Sequence, residues 1–336
     1  MTFDILRAVS YFHCMDGHSQ RSRSRASTES YFNPRTGEFV ERHIRDSDID
    51  LLKLFARHRY LSAPYAAALL NRSEQGVSRR LRSLKEKDVG LVKLCETQRE
   101  DRNLRTVGFL YYDIDAAGIT LLAEEGVHIV PPKAPKNFVH ALMVHQIIAS
   151  FAIGAVGRDD IRIVYEDNQR LLLGQRNGKD HYMISDYPRF AIERTADGKR
   201  REIPSIEADT ASEPIESYDR ERSAICNKFD DYIYALENGL FQKQYDVRTF
   251  FIPFITRNER RMQSMMDCLA AKTERKKELR RYFLFKTHPT LKSRENPRAS
   301  GHMLTEPWKR VGNADLYLDK ENTSARQQTD QDKDAH

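Results

Sequence analysis

The sequence contains little cysteine, and the cysteines it has are scattered. Cys14, Cys95, Cys226 and Cys268 lie far apart, without a CxxC pair or a Cys/His spacing. Zinc sites need closely spaced ligands and disulfide scaffolds need a dense cysteine framework, so neither class is expected. The pattern is typical of a protein from the reducing cytoplasm.

Long apolar runs are also missing, because none approaches the roughly 18 residues that a membrane helix requires. The mean hydropathy is −0.68, and 31% of the residues are charged. Residues 1–20 lack the basic start, apolar stretch and small-residue cleavage site of a secretion signal. We therefore predict a soluble, cytoplasmic protein without a membrane partner.

Two kinds of catalytic motif are absent as well. No GxxxxGK[ST] phosphate loop occurs, so we expect no nucleotide cofactor and no ATP-driven initiator. Tyr111 and Tyr112 suggest the attacking tyrosines of a relaxase, but the H-x-H-x-H metal cluster of such an enzyme is missing. His140 and His145 lie on an apolar helix instead, and we interpret them as residues at the edge of the core.

The sequence is long enough for two domains. Its 336 residues carry a formal charge of +6, which alone gives only a weak preference for nucleic acid. Composition divides the chain into a flexible basic arm, two folded domains and a polar, largely disordered tail, with bounds 1–45, 46–130, 137–286 and 287–336. In the tail, Leu304 and Trp308 indicate that one part docks onto the folded body.

The first domain has the order helix, helix, helix, two strands, helix. Its third helix, within SEQGVSRRLRSLKEKDVG, has Ser73 as a cap and an apolar stripe of Val77, Leu81 and Leu84. A charged hairpin follows. This order is typical of the winged-helix form of helix-turn-helix, in which the third helix enters the major groove of DNA.

Polar and basic side chains surround this stripe and continue into the hairpin loop. The residues predicted to bind double-stranded DNA are Ser78, Arg79, Arg82, Ser83 and Lys85 on the helix, and Arg99, Arg102 and Arg105 in the wing loop. Acidic residues are interspersed among them, which leaves open a winged helix that contacts protein instead.

The second domain has the order helix, several strands, helix, strand, helix, strand, which predicts an α/β unit with a central mixed sheet in a chain that is α+β overall. A hairpin that turns near Asp197 precedes the stretch IPSIEAD. If its loop has an even number of residues, Asp186 lies opposite either Glu207 or Asp209, and in both registers Asp186, Glu207 and Asp209 share one face of the sheet. Such a cluster is costly unless it is solvated, protonated or neutralised by a cation, and its oxygen ligands suit Mg²⁺ or Mn²⁺.

This arrangement of acids resembles the PD-(D/E)XK nuclease superfamily, whose domain is restriction-endonuclease-like. The resemblance implies a catalytic and metal-binding set of Asp186, Glu207 and, where a lysine usually stands, Asp209. A carboxylate cannot replace the lysine's charge, which favours a degenerate site over an active metal-dependent DNA endonuclease. Lys228 on the following helix is either a substitute for that lysine or an ordinary surface residue.

Residues of about 45–285 together resemble the replication-relaxation family of plasmid and mobile-element proteins. The motif residues that carry this resemblance are Glu207, Asp209, Thr210, Glu213, Lys228, Tyr232, Arg257 and Arg260. The resemblance implies a DNA-binding protein that acts in plasmid replication, relaxation or mobilisation. Two alternatives stay open: a Mg²⁺-dependent nuclease or nickase that uses the acidic cluster, and a transcriptional regulator whose second domain forms a homodimer.

Overall fold

A computed structural model gives the fold. It describes residues 27–33, 37–86, 89–95, 110–129, 135, 137–166, 170–176, 179–183, 185–187, 189–211, 214–215, 224–247, 249–288 and 299–320. Helices and strands are mixed along the chain, and the strands form several sheets. The α/β class predicted from the sequence is therefore confirmed at this level.

A β-hairpin precedes the first helix. It consists of β1 (Ser27–Asn33) and β2 (Glu38–Ile44), paired antiparallel so that Phe32 lies opposite Phe39. Aromatic and β-branched residues favour strands, and Gly37 between them has a φ of 71°, which suits a turn. The prediction of a flexible arm over residues 1–45 is thus wrong for residues 27–44.

The next unit contains the predicted three helices, two strands and closing helix. The elements are α1 (Asp46–Arg57), β3 (Leu61–Ser62), α2 (Ala63–Leu69), α3 (Glu74–Lys85), β4 (Val92–Leu94), β5 (Tyr111–Ile114) and α4 (Ala116–Glu124). The two-residue strand β3 was not predicted, and it pairs with β5 to give an antiparallel sheet of order β3-β5-β4.

An ion pair between a buried aspartate and a partly exposed arginine joins α3 to α1. Asp48 in the first turn of α1 is fully buried, and its carboxylate accepts hydrogen bonds from Nε and Nη2 of Arg80 at 2.6 and 2.5 Å. It also accepts from the backbone N–H of Arg45 at 2.8 Å. The stripe of Val77, Leu81 and Leu84 packs beside this pair in the core. The predicted inward face of α3 is therefore confirmed.

The second unit begins with a long apolar helix. Its elements are α5 (Phe138–Ala155), β6 (Ile161–Tyr165), β7 (Leu172–Arg176), β8 (Lys179–Tyr182), β9 (Phe190–Arg194), β10 (Arg200–Ile203), β11 (Glu207–Asp209), α6 (Ile225–Glu237), α7 (Leu240–Tyr245), β12 (Ile252–Thr256), α8 (Glu259–Lys272), a 3-10 turn (Lys277–Tyr282) and β13 (Phe283–Thr287). Strands β7 and β8 form a separate hairpin.

The strands of this unit form a central mixed arrangement. One group has the antiparallel order β6-β9-β10, and the other has the order β11-β12-β13 with parallel pairing. Only residues 204–206 separate β10 from β11, and a parallel bridge from Glu202 to Phe250 links the two groups. The strands of this unit thus form two sheets that one bridge links, rather than one continuous central sheet.

Helices cover both faces of these strands. On one face, α5 packs against Ile255 and Leu284; on the other, α6 and α8 pack against Phe254 and Phe283. Neighbouring residues of one strand point to opposite faces, so each parallel strand serves both layers. The fully buried Phe229 of α6 packs against Phe254 with tilted rings whose centroids are 4.6 Å apart.

Helix α5 corrects the expectation about apolar runs. In the part of the chain that the structure describes, it is the one helix that is long and apolar enough to cross a membrane. However, 72% of its 18-residue window is buried inside the protein. A mostly buried helix of this kind is typical of the core of a soluble protein, and its ability to pass a length test is weak evidence for a membrane span.

The C-terminal segment extends the fold. It contains α9 (His302–Thr305), β14 (Trp308–Arg310) and β15 (Asn313–Leu316), and the strands add to the sheet beside β13. Leu304 and Trp308 are fully buried, so the predicted docking is confirmed and the predicted disorder is wrong for residues 299–320. Residues 321–336 lie outside the described part.

Two glycines allow this docking. A Cβ atom on Gly154 would lie 2.7 Å from Cβ of Leu304, and one on Gly301 would lie 2.4 Å from Cα of Gly154. These distances are too short for any other residue, so α5 and the C-terminal segment approach at backbone contact. The Phe151 ring stacks on Trp308 beside this contact, at a centroid distance of 6.0 Å.

A hydrogen-bonded chain joins the C-terminal segment to the first unit. Ser300 Oγ lies 2.9 Å from Nδ1 of His302, whose Nε2 lies 3.3 Å from Nδ1 of His288. His288 Nε2 lies 3.3 Å from the amide oxygen of Gln146, whose amide nitrogen donates to the Tyr111 hydroxyl at 3.5 Å. Burial lowers the pKa of His288 to about 3, so its ring is neutral. A neutral ring has one donor and one acceptor, so Nε2 donates to Gln146 and Nδ1 accepts from His302.

The cysteines also differ from expectation. Cys226 in α6 and Cys268 in α8, which are 42 positions apart in sequence, are joined by a disulfide with their Cα atoms 6.4 Å apart. The sequence spacing predicted no such bond, because the two cysteines meet only when α6 and α8 pack side by side. Cys95 is free and buried.

We predict that Trp308→Ala lowers the free energy of unfolding by about 3–5 kcal/mol, because it removes the largest buried side chain that the segment contributes. Denaturant unfolding followed by circular dichroism measures the effect. Tyr234→Ala is the control, since Tyr234 is 49% exposed. If both substitutions cost the same small amount, the segment is not part of the core.

Candidate functional site

Helix α3 presents two arginines to solvent. Arg79 and Arg82 are exposed, whereas Ser78, Ser83 and Lys85 are half-buried. Arg82 Nε donates to the backbone oxygen of Ser78 at 3.3 Å. Arg79 and Arg82 thus lie on the outward face that the sequence predicted.

Other arginines of the unit are engaged in ion pairs. Arg80 faces inward to Asp48, and Arg72 donates to Asp50 at 2.8 Å. The three wing-loop residues that the sequence proposed for DNA contact, Arg99, Arg102 and Arg105, lie outside the described residues. Of the residues predicted to bind DNA, only those on α3 therefore lie in the described part of the chain.

A second candidate site lies on strand β11. The hairpin before it has Phe190 opposite Ile203, and the bridge from Tyr187 to Ile206 continues the same register. Asp186 is therefore opposite Glu207, which is one of the two registers that an even loop allows. Asp186 Oδ2 accepts a hydrogen bond from the backbone N–H of Ala208 at 2.8 Å. The predicted proximity of these acids is confirmed.

Glu207 is 1% exposed and is held by two side chains of α6. Lys228 Nζ lies 2.9 Å from its Oε2, and the Tyr232 hydroxyl donates to its Oε1 at 2.5 Å. Lys228 and Tyr232 are four positions apart, so they lie on the same side of the helix. Tyr232 also contacts the hydroxyl of Ser205. Lys228 therefore reaches into the acidic site, and the surface-residue alternative is wrong.

Asp209 has a different partner. The Arg261 guanidinium donates to both of its oxygens, with Nη2 at 2.9 Å from Oδ1 and Nε on Oδ2. Thr256 Oγ1 and the backbone N–H of Ala211 donate at 2.8 and 2.9 Å. Parallel pairing of β11 with β12 places Thr256 directly beside Asp209. Asp209 is thus neutralised by a guanidinium.

The sequence named two other arginines in this region and missed Arg261. Arg257 Nη1 donates to the backbone oxygen of Thr210 at 3.1 Å, and Arg260 is exposed. Helix α8 begins at Glu259, and its start decides which of three nearby arginines turns toward the strand. That start was not fixed by the pattern of apolar residues. Glu213 lies outside the described residues.

His140 is the other member that the sequence did not assign to the site. Its Nε2 lies 3.2 Å from Oδ1 of Asp186, and its side chain is half-buried. The Asn137 side chain caps α5 by accepting from the backbone N–H of His140 at 3.1 Å, which fixes the first turn of the helix. His145 is buried, as expected for a core residue.

The ionisable groups of this site change one another's pKa values. Burial raises the pKa of Glu207 to about 7, and the charge of Asp186 adds to the rise while Lys228 opposes it. Burial also acts to raise the pKa of Asp186, but Lys228 and His140 hold it below its ordinary value. Burial acts to lower the pKa of His140, but the hydrogen bond to Asp186 leaves it raised. The protein's own cations therefore balance its acids.

This balance bears on the predicted Mg²⁺ or Mn²⁺ site. Within the described residues, no group of three His, Cys, Asp or Glu side chains is arranged to hold a metal ion. Asp186 and Glu207 lie together, but both oxygens of Asp209 accept from Arg261. In the arrangement seen here, the three carboxylates do not form a single ligand set.

Comparison of the chain with protein-family models, with curated proteins and with solved structures finds no match.

We predict a pH-dependent effect of Glu207→Gln on stability. The pKa of Glu207 is about 7 in the folded protein and near its ordinary value of about 4.5 when unfolded, so the folded state retains a proton that the unfolded chain has released. The proton on Glu207 therefore adds to the free energy of unfolding. This stabilisation is complete below about pH 4.5 and is lost as the pH rises through about 7. It corresponds to roughly 3 kcal/mol.

Denaturant unfolding at pH 5 and pH 8 measures this effect. Wild type should lose free energy of unfolding between the two values, and Glu207→Gln should lose less. Glu274→Gln, at an exposed position, is the matched control and should behave as wild type. Equal pH dependence in all three proteins would contradict the assigned buried proton.

Proposed function

We propose that this protein is a cytoplasmic, double-stranded DNA-binding protein of a plasmid or mobile element, which acts in replication, relaxation or mobilisation through a winged helix. The observation that carries the proposal is the opposite orientation of the arginines on α3. Arg80 turns inward to Asp48, while Arg79 and Arg82 project into solvent. Exposed arginines on one side of a helix with a fixed orientation suit phosphate and base contacts.

The order of elements supports the same proposal. Helices α1, α2 and α3 are followed by strands β4 and β5, and β3 adds the short third strand of a small antiparallel sheet. In winged helices the third helix enters the major groove, and the hairpin loop contacts the neighbouring backbone. Here that loop corresponds to residues 96–109, which include the three wing arginines of the sequence proposal.

The resemblance to the replication-relaxation family draws support from the second unit. Three of its motif residues meet at one point, because Glu207 of β11 accepts hydrogen bonds from Lys228 and Tyr232 of α6, whereas Asp209 on the same strand accepts from Arg261. Residues of a motif that are distant in sequence and meet in space are better explained by a shared site than by chance composition. The site is consequently the part of the second unit that we associate with the function.

We predict that Arg79→Ala combined with Arg82→Ala raises the Kd for a mixed-sequence DNA duplex by about ten-fold or more, and lowers the slope of log K against log[salt] by roughly 2. Fluorescence anisotropy over a salt series measures both quantities. The matched control, Lys199→Ala with Lys309→Ala, removes the same charge from exposed residues elsewhere. Equal affinity of both double variants would move the DNA interface away from α3.

A second candidate function is a Mg²⁺- or Mn²⁺-dependent DNA nuclease or nickase. The observation that favours it is Lys228, whose amine lies 2.9 Å from Glu207 and whose charge also acts on Asp186. The lysine thus compensates in space for the lysine missing at position 209. A bound divalent ion would supply Lewis-acid activation of water and phosphate. Asp186 and Glu207 would hold it only after Glu207 exchanged Lys228 and Tyr232 for the ion, and the released Lys228 would stabilise the charge of the phosphate.

Incubation of supercoiled plasmid with the protein and Mg²⁺ or Mn²⁺ tests this candidate. Nicked or linear product is expected from wild type, with a loss of at least ten-fold in Lys228→Met, because the cation that stabilises the phosphate is removed. Lys272→Met is the matched control on a neighbouring helix. Cleavage that survives in a Glu207→Ala/Asp209→Ala double variant would exclude the assigned site.

A further inference from the structure

The disulfide between Cys226 and Cys268 joins the two helices that carry the basic residues of the acidic site. Cys226 is the second residue of α6, two positions before Lys228. Cys268 is in α8, seven positions after Arg261, and therefore lies on the same side of that helix two turns away. One bond thus joins the helix that holds Glu207 to the helix that holds Asp209.

Other contacts between these helices are of two kinds. Phe229 and Met265 pack in a common core, and Lys272 donates to Asp230 at 2.6 Å on the surface. Apolar packing is not directional, and exposed ion pairs contribute little. The disulfide is the one covalent constraint on the spacing of α6 and α8 in the described part of the chain.

We propose that Cys226 and Cys268 form a reversible thiol–disulfide pair, a modification site for a low-molecular-weight disulfide, and that its redox state sets how firmly α6 and α8 hold the carboxylates of β11. A reducing cytoplasm keeps such pairs as dithiols, and oxidising conditions close them. The regulatory consequence rests on the proposed function of the acidic site, whereas the redox chemistry does not.

The chemistry balances with glutathione disulfide as the oxidant. One cysteine loses its proton and attacks a sulfur of the reagent, which forms a mixed disulfide and releases one glutathione thiolate. The second cysteine then loses its proton and attacks the protein sulfur of that mixed disulfide, which closes the Cys226–Cys268 bond and releases the second glutathione. The two protein thiols are oxidised, and the glutathione disulfide is reduced to two thiols.

Burial controls the rate of this exchange. Both cysteines are less than a tenth exposed, so the reagent must wait for a local opening of α6 or α8. Cys226 stands at the N-terminal end of α6, where helices open most readily, and helix N-termini stabilise a thiolate. It is therefore the cysteine that the reagent reaches first.

The experiment uses the full chain with Cys14→Ser and Cys95→Ser, so that only the pair can react. The protein is equilibrated in buffers of reduced and oxidised glutathione, quenched with acid, labelled with a maleimide after unfolding, and weighed intact. We expect two interconverting species, one with no label and one with two. Far-ultraviolet circular dichroism should be the same for both, because the fold persists without the bond.

Hydrogen exchange then reads the effect on the site. Amides of residues 225–237 and 259–272 should exchange roughly ten-fold faster or more in the dithiol, because the constraint between the helices is gone. Amides of α1 and α3 serve as the internal control and should not change. Chemical reduction of the native chain gives the same comparison if a cysteine variant does not fold.

Three results would overturn the proposal: a pair that carries two labels in every oxidising buffer, a mixed glutathione adduct that never closes, or identical exchange of α6 and α8 in both states. DNA binding is measured on the same samples. Loss of DNA binding in both redox states would contradict the proposed function but would leave the redox result intact, so the two failures are distinguishable.

Discussion

A carboxyl group that is buried in a sheet must either keep its proton or pair with a positive group, and this requirement organises the second unit. Glu207 and Asp209 are almost completely buried on the same strand. Removing one partner of such a pair leaves an uncompensated charge, which costs several kcal/mol. The helices that pack on the sheet must therefore have a basic residue in the turn that faces each buried acid. Helix α6 provides Lys228 and α8 provides Arg261, while α5 provides His140 from the opposite layer.

Helix α5 has the corresponding role for packing. Its middle residues contribute to the core of the second unit, and Ala149 belongs to the core of the first. The Tyr60 ring of the first unit contacts both Phe138 and His145 of this helix, with centroids 5.2 and 5.6 Å apart. A helix that is apolar on nearly every side is explained by this position, since it has neighbours all round.

Much of this could be predicted from the sequence. The apolar stripe of α3 and the cap at Ser73 follow from local residues and the helical period of 3.6. The period of 2 placed Asp186 and Glu207 on one face on the condition that the hairpin loop is even, and it left open whether Asp186 lies opposite Glu207 or Asp209. The hairpin β1–β2 was missed because it looks polar as a stretch of sequence. Leu304 and Trp308 indicated that part of the C-terminal segment docks, but its strands were not predicted, because they form only against β13.

The partners of the acids were harder to predict, for a related reason. Arg261 and His140 each lie in the first turn of a helix, and a shift of one residue in the start of that helix would turn a different side chain inward. The same holds for Cys226 and Cys268, which meet only through the packing of two helices. Local patterns specify which residues are inside an element, but contacts between elements depend on the tertiary arrangement.

The ion pair between Asp48 and Arg80 has a consequence for the entropy of binding. Because Arg80 is bound with two hydrogen bonds to a buried carboxylate, α3 cannot roll about its own axis without breaking that pair. The azimuth of Arg79 and Arg82 is therefore set before any ligand arrives. A helix that is already oriented loses less rotational freedom on association than one that must be aligned. The ordering of α3 during folding would therefore strengthen the binding proposed for this face.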